Sequence, residues 1–277
     1  MRIFTRLLAV GAVATVIPLV GASGIASAST HPAQSNPIMV TASPDPLVET
    51  GDSQVMAVVQ VSTKPKFAGD EVEISSMQLD NTCASAEFIS YAYGGDDVIT
   101  GSPIAVTLDN DGNATVMFVG TGCSTGKQVI EASLVAAPYY SATTCLKVDP
   151  PADTPAGVTA YPQTEVETGT FGEGGNSDVY AVFYVETKSV YAELTAEIEA
   201  DELVDRCGQG SAWLANGVWT SDSQTATAEI DDNGNAVFGF FGASCASGTS
   251  DIIADILGGT HKTYTTTFTV DSPQKVI

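Results

Sequence analysis

Positive charge is scarce in this sequence of 277 residues. Ten Lys and Arg residues face 33 Asp and Glu residues, which gives a formal net charge of −23 at pH 7. A surface this negative repels nucleic acid phosphates and anionic lipids, so neither is an expected partner. Because no long acidic tract concentrates the charge, a solvated acidic coat is favoured over attraction to cations or basic surfaces.

Long apolar segments are missing except at the N-terminus. There, Arg2 and Arg6 precede the apolar run Leu7–Val20, and small residues follow up to Ala28. This order is typical of a secretory signal peptide cleaved after Ala28, and the run is too short and too interrupted to span a bilayer comfortably. We therefore expect a secreted protein, extracellular or associated with the cell surface, with no membrane attachment after cleavage.

Residues suited to catalysis are also few. The chain has two histidines, His31 and His261. No G-x-S-x-G motif, phosphate-binding loop or dinucleotide fingerprint frames a nucleophile or a cofactor site. We expect a protein that is not an enzyme and needs no cofactor, with a small hydrolase built around His261 as an alternative.

What the sequence does contain is an internal repeat. Val40–Pro44 matches Val158–Pro162, and the segment VMAVVQVSTK that begins at Val55 matches VYAVFYVETK, which begins at Val179. Agreement over the whole length, with loop-sized insertions, indicates duplication of one folding unit. A proline-rich stretch separates the copies and is typical of a semi-rigid spacer, so the two domains are expected to sit end to end like beads.

The composition predicts that both units are all-β. Val, Thr, Ile, Tyr and Phe recur between clusters of Gly, Asn, Asp and Ser, and helix formers are scarce. Val190–Asp205 is also compatible with a helix, but its alignment with the first copy favours a strand. The strands predicted in the first unit are Met39–Ala42, Gln54–Ser62, Val72–Leu79, Phe88–Tyr93, Ile104–Leu108, Ala114–Val119, Gln128–Ala136 and Thr143–Val148.

These patterns resemble bacterial immunoglobulin-like domains. The resemblance rests on the V-T-A-x-P opening, the Asn-Gly turns before an apolar strand, and the closing segments VIEASLVAAPYYSATT and IIADILGGTHKTYTTTFTV. It implies two tandem antiparallel β-sandwich domains with an extracellular scaffold, adhesion or binding role, and it carries over no catalytic residues. The predicted segments are a signal peptide (1–28), a disordered segment (29–38), domain 1 (39–149), a linker (150–157), domain 2 (158–273) and a tail (274–277).

Four of the five cysteines occupy equivalent positions in the two units. Cys83 and Cys123 correspond to Cys207 and Cys245, which predicts one disulfide inside each domain of a secreted chain. A metal site is disfavoured, because no C-x-x-C spacing is present. Cys145 has no counterpart; it is a buried thiol in the last strand of domain 1, a free reactive thiol, or the link of a disulfide-bonded dimer.

Two acidic turns precede equivalent strands. Asp109 and Asp111 open the first, and Asp231 and Asp232 open the second. Calcium needs six to eight oxygen ligands, and the glutamate of an EF-hand loop is absent at the required position. The patterns Asn-Asp-Gly-Asn and Asp-Asn-Gly-Asn are typical of tight turns, so these residues are only weak candidates for a cation site.

Aromatic residues are more frequent in the second unit. In WLANGVW, Trp213 and Trp219 flank an Asn-Gly turn, where an exposed ring could stack on a sugar or a partner surface. Together these features favour a secreted non-enzymatic protein with a structural, adhesive or protein-binding role. The alternative is a carbohydrate-binding or inhibitory module that uses this patch, and the partner is an unknown extracellular protein or polysaccharide.

Overall fold

A computed structural model describes residues 36–44, 54–76, 78–91, 98–149, 155–165, 177–207, 210–258 and 261–271. From Asn36 onward the described residues belong to one compact unit. It contains two consecutive antiparallel β-sandwiches, repeat 1 and repeat 2. The predicted all-β fold of two tandem antiparallel β-sandwiches is confirmed.

The elements follow the duplication closely. Repeat 1 contains β1 (Met39–Ser43), β2 (Gln54–Ser62), β3 (Glu71–Ser75), α1 (Leu79–Thr82), β4 (Ser85–Tyr91), β5 (Val98–Gly101), β6 (Ile104–Thr107), β7 (Asn113–Thr121), β8 (Gly126–Leu134) and β9 (Ala137–Val148). Repeat 2 contains β10 (Gly157–Tyr161), β11 (Thr164–Glu165), β12 (Ser177–Glu186), β13 (Thr195–Glu199), α2 (Asp201–Cys207), β14 (Ser211–Ala215), β15 (Val218–Ser221), β16 (Thr225–Glu229), β17 (Asn235–Cys245), β18 (Gly248–Leu257) and β19 (Lys262–Val270).

Each repeat has an inner and an outer sheet. The inner sheets have the orders β1-β2-β7-β4-β5 and β10-β12-β17-β14-β15. The outer sheets have the orders β6-β3-β8-β9 and β11-β19-β18-β13-β16. All pairings are antiparallel except that of β11 with β19, which is parallel. Read from its other edge, the outer sheet of repeat 2 has the same order as that of repeat 1, with β11 added after β19. The sheet orders of the two repeats therefore agree with duplication of one folding unit.

The inner sheets are buried on both faces. On β2, Val55 and Ala57 face the core of repeat 1, and the intervening Met56 and Val58 are equally inaccessible to solvent. The cluster that contains them extends into repeat 2, where its members include Tyr180, Val182, Tyr184, Leu214, Val237 and Phe241. The two inner sheets therefore pack against each other, and the described chain forms four layers.

Specific contacts fix this junction. The Tyr184 hydroxyl donates a hydrogen bond to the carbonyl oxygen of Met56 (3.0 Å) and accepts one from its backbone N–H (3.1 Å). Gly239 approaches repeat 1 so closely that an added Cβ would lie 2.7 Å from the Met117 sulfur. The expectation that the domains sit end to end like beads is wrong, because each inner sheet has an apolar outward face that the other covers.

The predicted strand over Val190–Asp205 is only partly correct. Residues Thr195–Glu199 form β13, but α2 begins at Asp201 and ends at Cys207. Asp201 and Glu202 lie in its first turn and Arg206 in its last, which favours a helix through the backbone dipole. The corresponding prediction in repeat 1 is also too long, because β3 ends at Ser75 and α1 follows.

The segment predicted to be disordered is ordered at its end. Ile38 is buried in the core of repeat 1, and the Asn36 side-chain amide donates a hydrogen bond to the backbone carbonyl of Ser141. The predicted signal peptide, residues 29–35, most of the predicted linker and the whole predicted tail lie outside the described residues. Among the residues that are described, no helix is long and apolar enough to cross a membrane.

Candidate functional site

The structure has both predicted disulfides. Cys83 is bonded to Cys123 and Cys207 to Cys245. Each bond joins the segment before β4 or β14 to the central strand of the inner sheet, β7 or β17; Cys123 follows β7 by two residues, and Cys245 ends β17. A glycine of that central strand lies beneath each bond. A Cβ at Gly242 would be 2.5 Å from the Cys207 sulfur and 2.6 Å from that of Cys245. These bonds are packed structural elements of the sandwiches.

Cys145 is a free cysteine on β9. It lies opposite Val129 of β8, and both side chains are partly exposed. The next residue, Leu146, is fully buried, so Cys145 faces away from the core of repeat 1. The interpretation as a buried thiol is wrong for this reason, and the disulfide-linked dimer stays a prediction.

The acidic turns are closed by their own side chains. The Asp109 carboxylate accepts backbone hydrogen bonds from Asp111 (2.8 Å) and Asn113 (2.9 Å). Asp231 accepts the equivalent bonds from Asn233 (2.8 Å) and Asn235 (2.9 Å). These are Asx turns, in which the carboxylate satisfies backbone donors. In the part of the chain that the structure describes, no group of three acidic, His or Cys side chains could hold a metal ion.

A cleft of about 960 Å³ opens at the junction of the repeats. Carboxylates from both sides line it: Glu87 from repeat 1, and Glu193, Glu229, Asp231 and Asp232 from repeat 2. No lysine or arginine is among its lining residues. The cleft is therefore a concave region of negative potential, formed only because the two inner sheets pack together.

Asp178 occupies the repeat 2 position that corresponds to Gln54. Its carboxylate accepts a hydrogen bond from the Ser244 backbone N–H (3.0 Å) at a bulge between β12 and β17. Burial raises the pKa of Asp178 above its ordinary value of 3.8, and the hydrogen bond only partly opposes this effect. The folded state thus holds the Asp178 proton more tightly than the unfolded state does.

This raised pKa predicts a pH-dependent effect of Asp178→Asn. A carboxyl group with a raised folded-state pKa destabilises the fold as pH rises through that pKa, because the buried group must ionise. Removing the charge should therefore raise Tm at pH 7, and the gain should vanish below about pH 3.8, where both states are protonated. Thermal unfolding at pH 7 and pH 3 measures this difference. The exposed Asp251 supplies a control, Asp251→Asn, and a lower Tm for Asp178→Asn at pH 7 would contradict the argument.

The two tryptophans of the predicted patch face different environments. Trp213 is fully buried in repeat 2, and its indole N–H donates to the carbonyl of Ser223 (2.9 Å). Trp219 is 38% exposed and packs on Phe241, with ring centroids 5.1 Å apart. The prediction of an exposed patch is therefore wrong for Trp213. Leu214 pairs with Trp219 across the hairpin, which places the two indoles on opposite faces of the sheet.

A second group of aromatic side chains lies on repeat 1. Tyr139 is 78% exposed and packs against Tyr140, with centroids 4.4 Å apart. Tyr140 meets Phe67 edge-on at 5.9 Å, and the Lys66 ammonium lies 4.6 Å from the Phe67 ring centroid. We call these four residues the aromatic row. The sequence alone does not predict it, because Phe67 is distant along the chain and the adjacent tyrosines fit the pattern of a closing strand.

No protein-family model matches the chain, and no curated protein matches it. Solved structures are similar at low levels. Bacterial invasin, an integrin-binding protein, is 15% identical with a TM-score of 0.28, covering 84% of this chain and 39% of its own. The Yersinia pseudotuberculosis adhesin InvE is 12% identical with a TM-score of 0.27, covering 83% and 58%. Red sea bream transglutaminase is 11% identical with a TM-score of 0.27, covering 85% and 31%.

This chain therefore spans between about a third and three-fifths of the length of those proteins. Similarity at these TM-scores says nothing about activity or partners, and proteins with unrelated functions share the same sandwich architecture.

Proposed function

We propose that this protein is a secreted, non-enzymatic binding module with a structural or adhesive role outside the cell. The observation that carries the proposal is the core shared by the two repeats. Packing of the inner sheets makes a stiff block, so that loops and strand edges on both repeats keep fixed positions relative to each other. A rigid scaffold of this kind is suited to presenting a binding surface.

Composition and cross-links support an extracellular setting. Each repeat carries its own disulfide, and such bonds persist in oxidising compartments. The strong negative charge favours solubility, and it disfavours nucleic acid and anionic membranes as partners. Both features agree with the predicted export signal.

Carbohydrate binding through repeat 2 is a second candidate. Trp219 is partly exposed beside Val218, which is 63% exposed at the tip of the same hairpin. With Trp213 inside the core, a single indole supports this site. Loss of glycan binding in Trp219→Ala would favour it.

Locating the protein tests the proposed function. In cells that produce it, we expect a chain that begins at Ser29, found in the medium or on the surface where added protease reaches it. The purified protein, labelled at its amino terminus, should rebind saturably to the outside of those cells. A protease-protected cytoplasmic protein that retains residues 1–28 would refute the proposal, as would the absence of saturable rebinding.

A further inference from the structure

We propose that the aromatic row of repeat 1 binds a neutral polysaccharide. The exposed Tyr139 ring would stack on the C–H face of a sugar, and Lys66 would donate hydrogen bonds to sugar hydroxyls. The site rests on the proposed extracellular role, since such polysaccharides lie outside cells.

The exposure of the row is the first reason. Tyr139 is the most exposed large hydrophobic side chain among the described residues, yet its ring is in contact with that of Tyr140. The contacts continue from Tyr140 to Phe67 and from Phe67 to Lys66. Tyr140 and Phe67 are half-buried and pack against the core of repeat 1, so the exposed aromatic surface is centred on Tyr139. Exposed aromatic surface of this kind marks interaction sites. Tyrosine suits such sites, because its ring is apolar and its hydroxyl stays hydrated.

Repeat 2 acts as an internal control for the fold. Its residues at the positions of Tyr139 and Tyr140 are His261 and Lys262, and Val190 stands at the position of Lys66. Phe67 corresponds to Tyr191, which packs against the core of repeat 2, so an aromatic ring at this position belongs to the sandwich fold. The two tyrosines and the lysine are features of repeat 1 alone.

A backbone irregularity displays the two tyrosines. Ser133 pairs with Ser141, but the next residue, Leu134, pairs with Ala137. Pro138, Tyr139 and Tyr140 are thus the extra residues of a bulge on β9. The equivalent pairing of β18 with β19 runs without a register shift from Gly248 to Ile256. Bulges locally interrupt the sheet ladder and re-aim side chains, and they are frequent beside functional sites.

Charge and size favour a neutral glycan over other occupants. The net charge of −23 disfavours polyanions, including single-stranded nucleic acids that also stack on aromatic rings. A stable protein interface buries about 800 Å² per partner. The exposed aromatic surface is centred on one ring, Tyr139, and the residues that follow the row along β9, Ser141 and Ala142, are small. A sugar chain matches so small a surface, because one stacked ring and one ammonium donor are enough to engage it.

Affinity electrophoresis of the purified mature protein tests the site. Gels would contain laminarin, xylan or glucomannan, and sedimentation with cellulose or chitin would cover insoluble polymers. We expect one of these probes to retain the wild-type protein saturably. Tyr139→Ala should weaken binding about tenfold, as expected for removal of one stacked ring, whereas Tyr139→Phe should keep it. Lys66→Ala should weaken binding by a smaller factor, and Val190→Ala, at the exposed repeat 2 position that corresponds to Lys66, should leave it unchanged.

Three outcomes would overturn the proposal: no retention by any of the polymers, equal binding by Tyr139→Ala, or loss of binding in Trp219→Ala alone. An unchanged melting temperature for Tyr139→Ala would show that a loss of affinity is not a loss of folding. Because the assay uses purified protein, it can fail while secretion and rebinding to cells are still observed, so the two proposals are tested separately.

Discussion

Removing the Cys207–Cys245 bond is expected to lower the free energy of unfolding by about 4 kcal/mol. The bond spans 38 residues, and a loop of this length restricts the unfolded chain by roughly that amount. The double variant Cys207→Ser/Cys245→Ser, compared with the wild type by urea denaturation, measures the loss. The sulfurs also lie against Gly242, so their removal leaves space that the core cannot easily close.

Cys145→Ser supplies the matched control, since Cys145 is the free cysteine and its side chain is partly exposed. Its effect on stability should stay within about 0.5 kcal/mol. A double variant as stable as this control would show that the bond constrains little of the unfolded chain.

Gly239→Val is expected to break the junction between the repeats. A Cβ at this position would lie 2.7 Å from the Met117 sulfur and 3.0 Å from the Met56 sulfur, and both methionines are fully buried. Overpacking of this kind costs about 1–3 kcal/mol, and valine adds two methyl groups beyond the Cβ. Because the wild-type repeats share a core, we expect them to unfold in one transition and the variant to unfold in two. Differential scanning calorimetry resolves the two cases.

Gly157→Ala is the control for this change, because the nearest atom to its added Cβ lies 3.9 Å away. If Gly239→Val unfolds in one transition at the temperature of this control, the close approach of the two sheets is not needed for their packing.

Period-two alternation of apolar residues predicts most of the strands correctly. Val55, Ala57, Val59 and Val61 of β2 face the core of repeat 1, as their spacing predicts. The same reasoning does not predict the helix α2, because its alignment with a strand-like first copy outweighs the acidic residues of its first turn. The first copy also forms a helix, α1, at the equivalent position, so the alignment carried the same error of strand length into both repeats.

The junction does not follow from alternation alone, although its signal is present in the sequence. The runs VMAVV in β2 and AVFGFF in β17 are apolar on both strand faces, which is typical of strands buried on both sides. The adjacent pair Phe240 and Phe241 illustrates this: Phe240 packs in the core of repeat 2, and Phe241 in the cluster shared with repeat 1. What no pattern specifies is which surface covers the outward face.

Because the two repeats share a core, repeat 1 cannot bury all of its apolar surface before repeat 2 has been synthesised. Repeat 1 leaves the ribosome first, and its inner sheet carries Met56, Val58, Met117 and Val119, whose natural cover lies in the half of the chain that is synthesised later. Until repeat 2 has been synthesised, the incomplete chain exposes this apolar surface, which can associate with other nascent chains. Folding without aggregation is therefore favoured by rapid synthesis of repeat 2, or by a chaperone that covers the inner sheet of repeat 1.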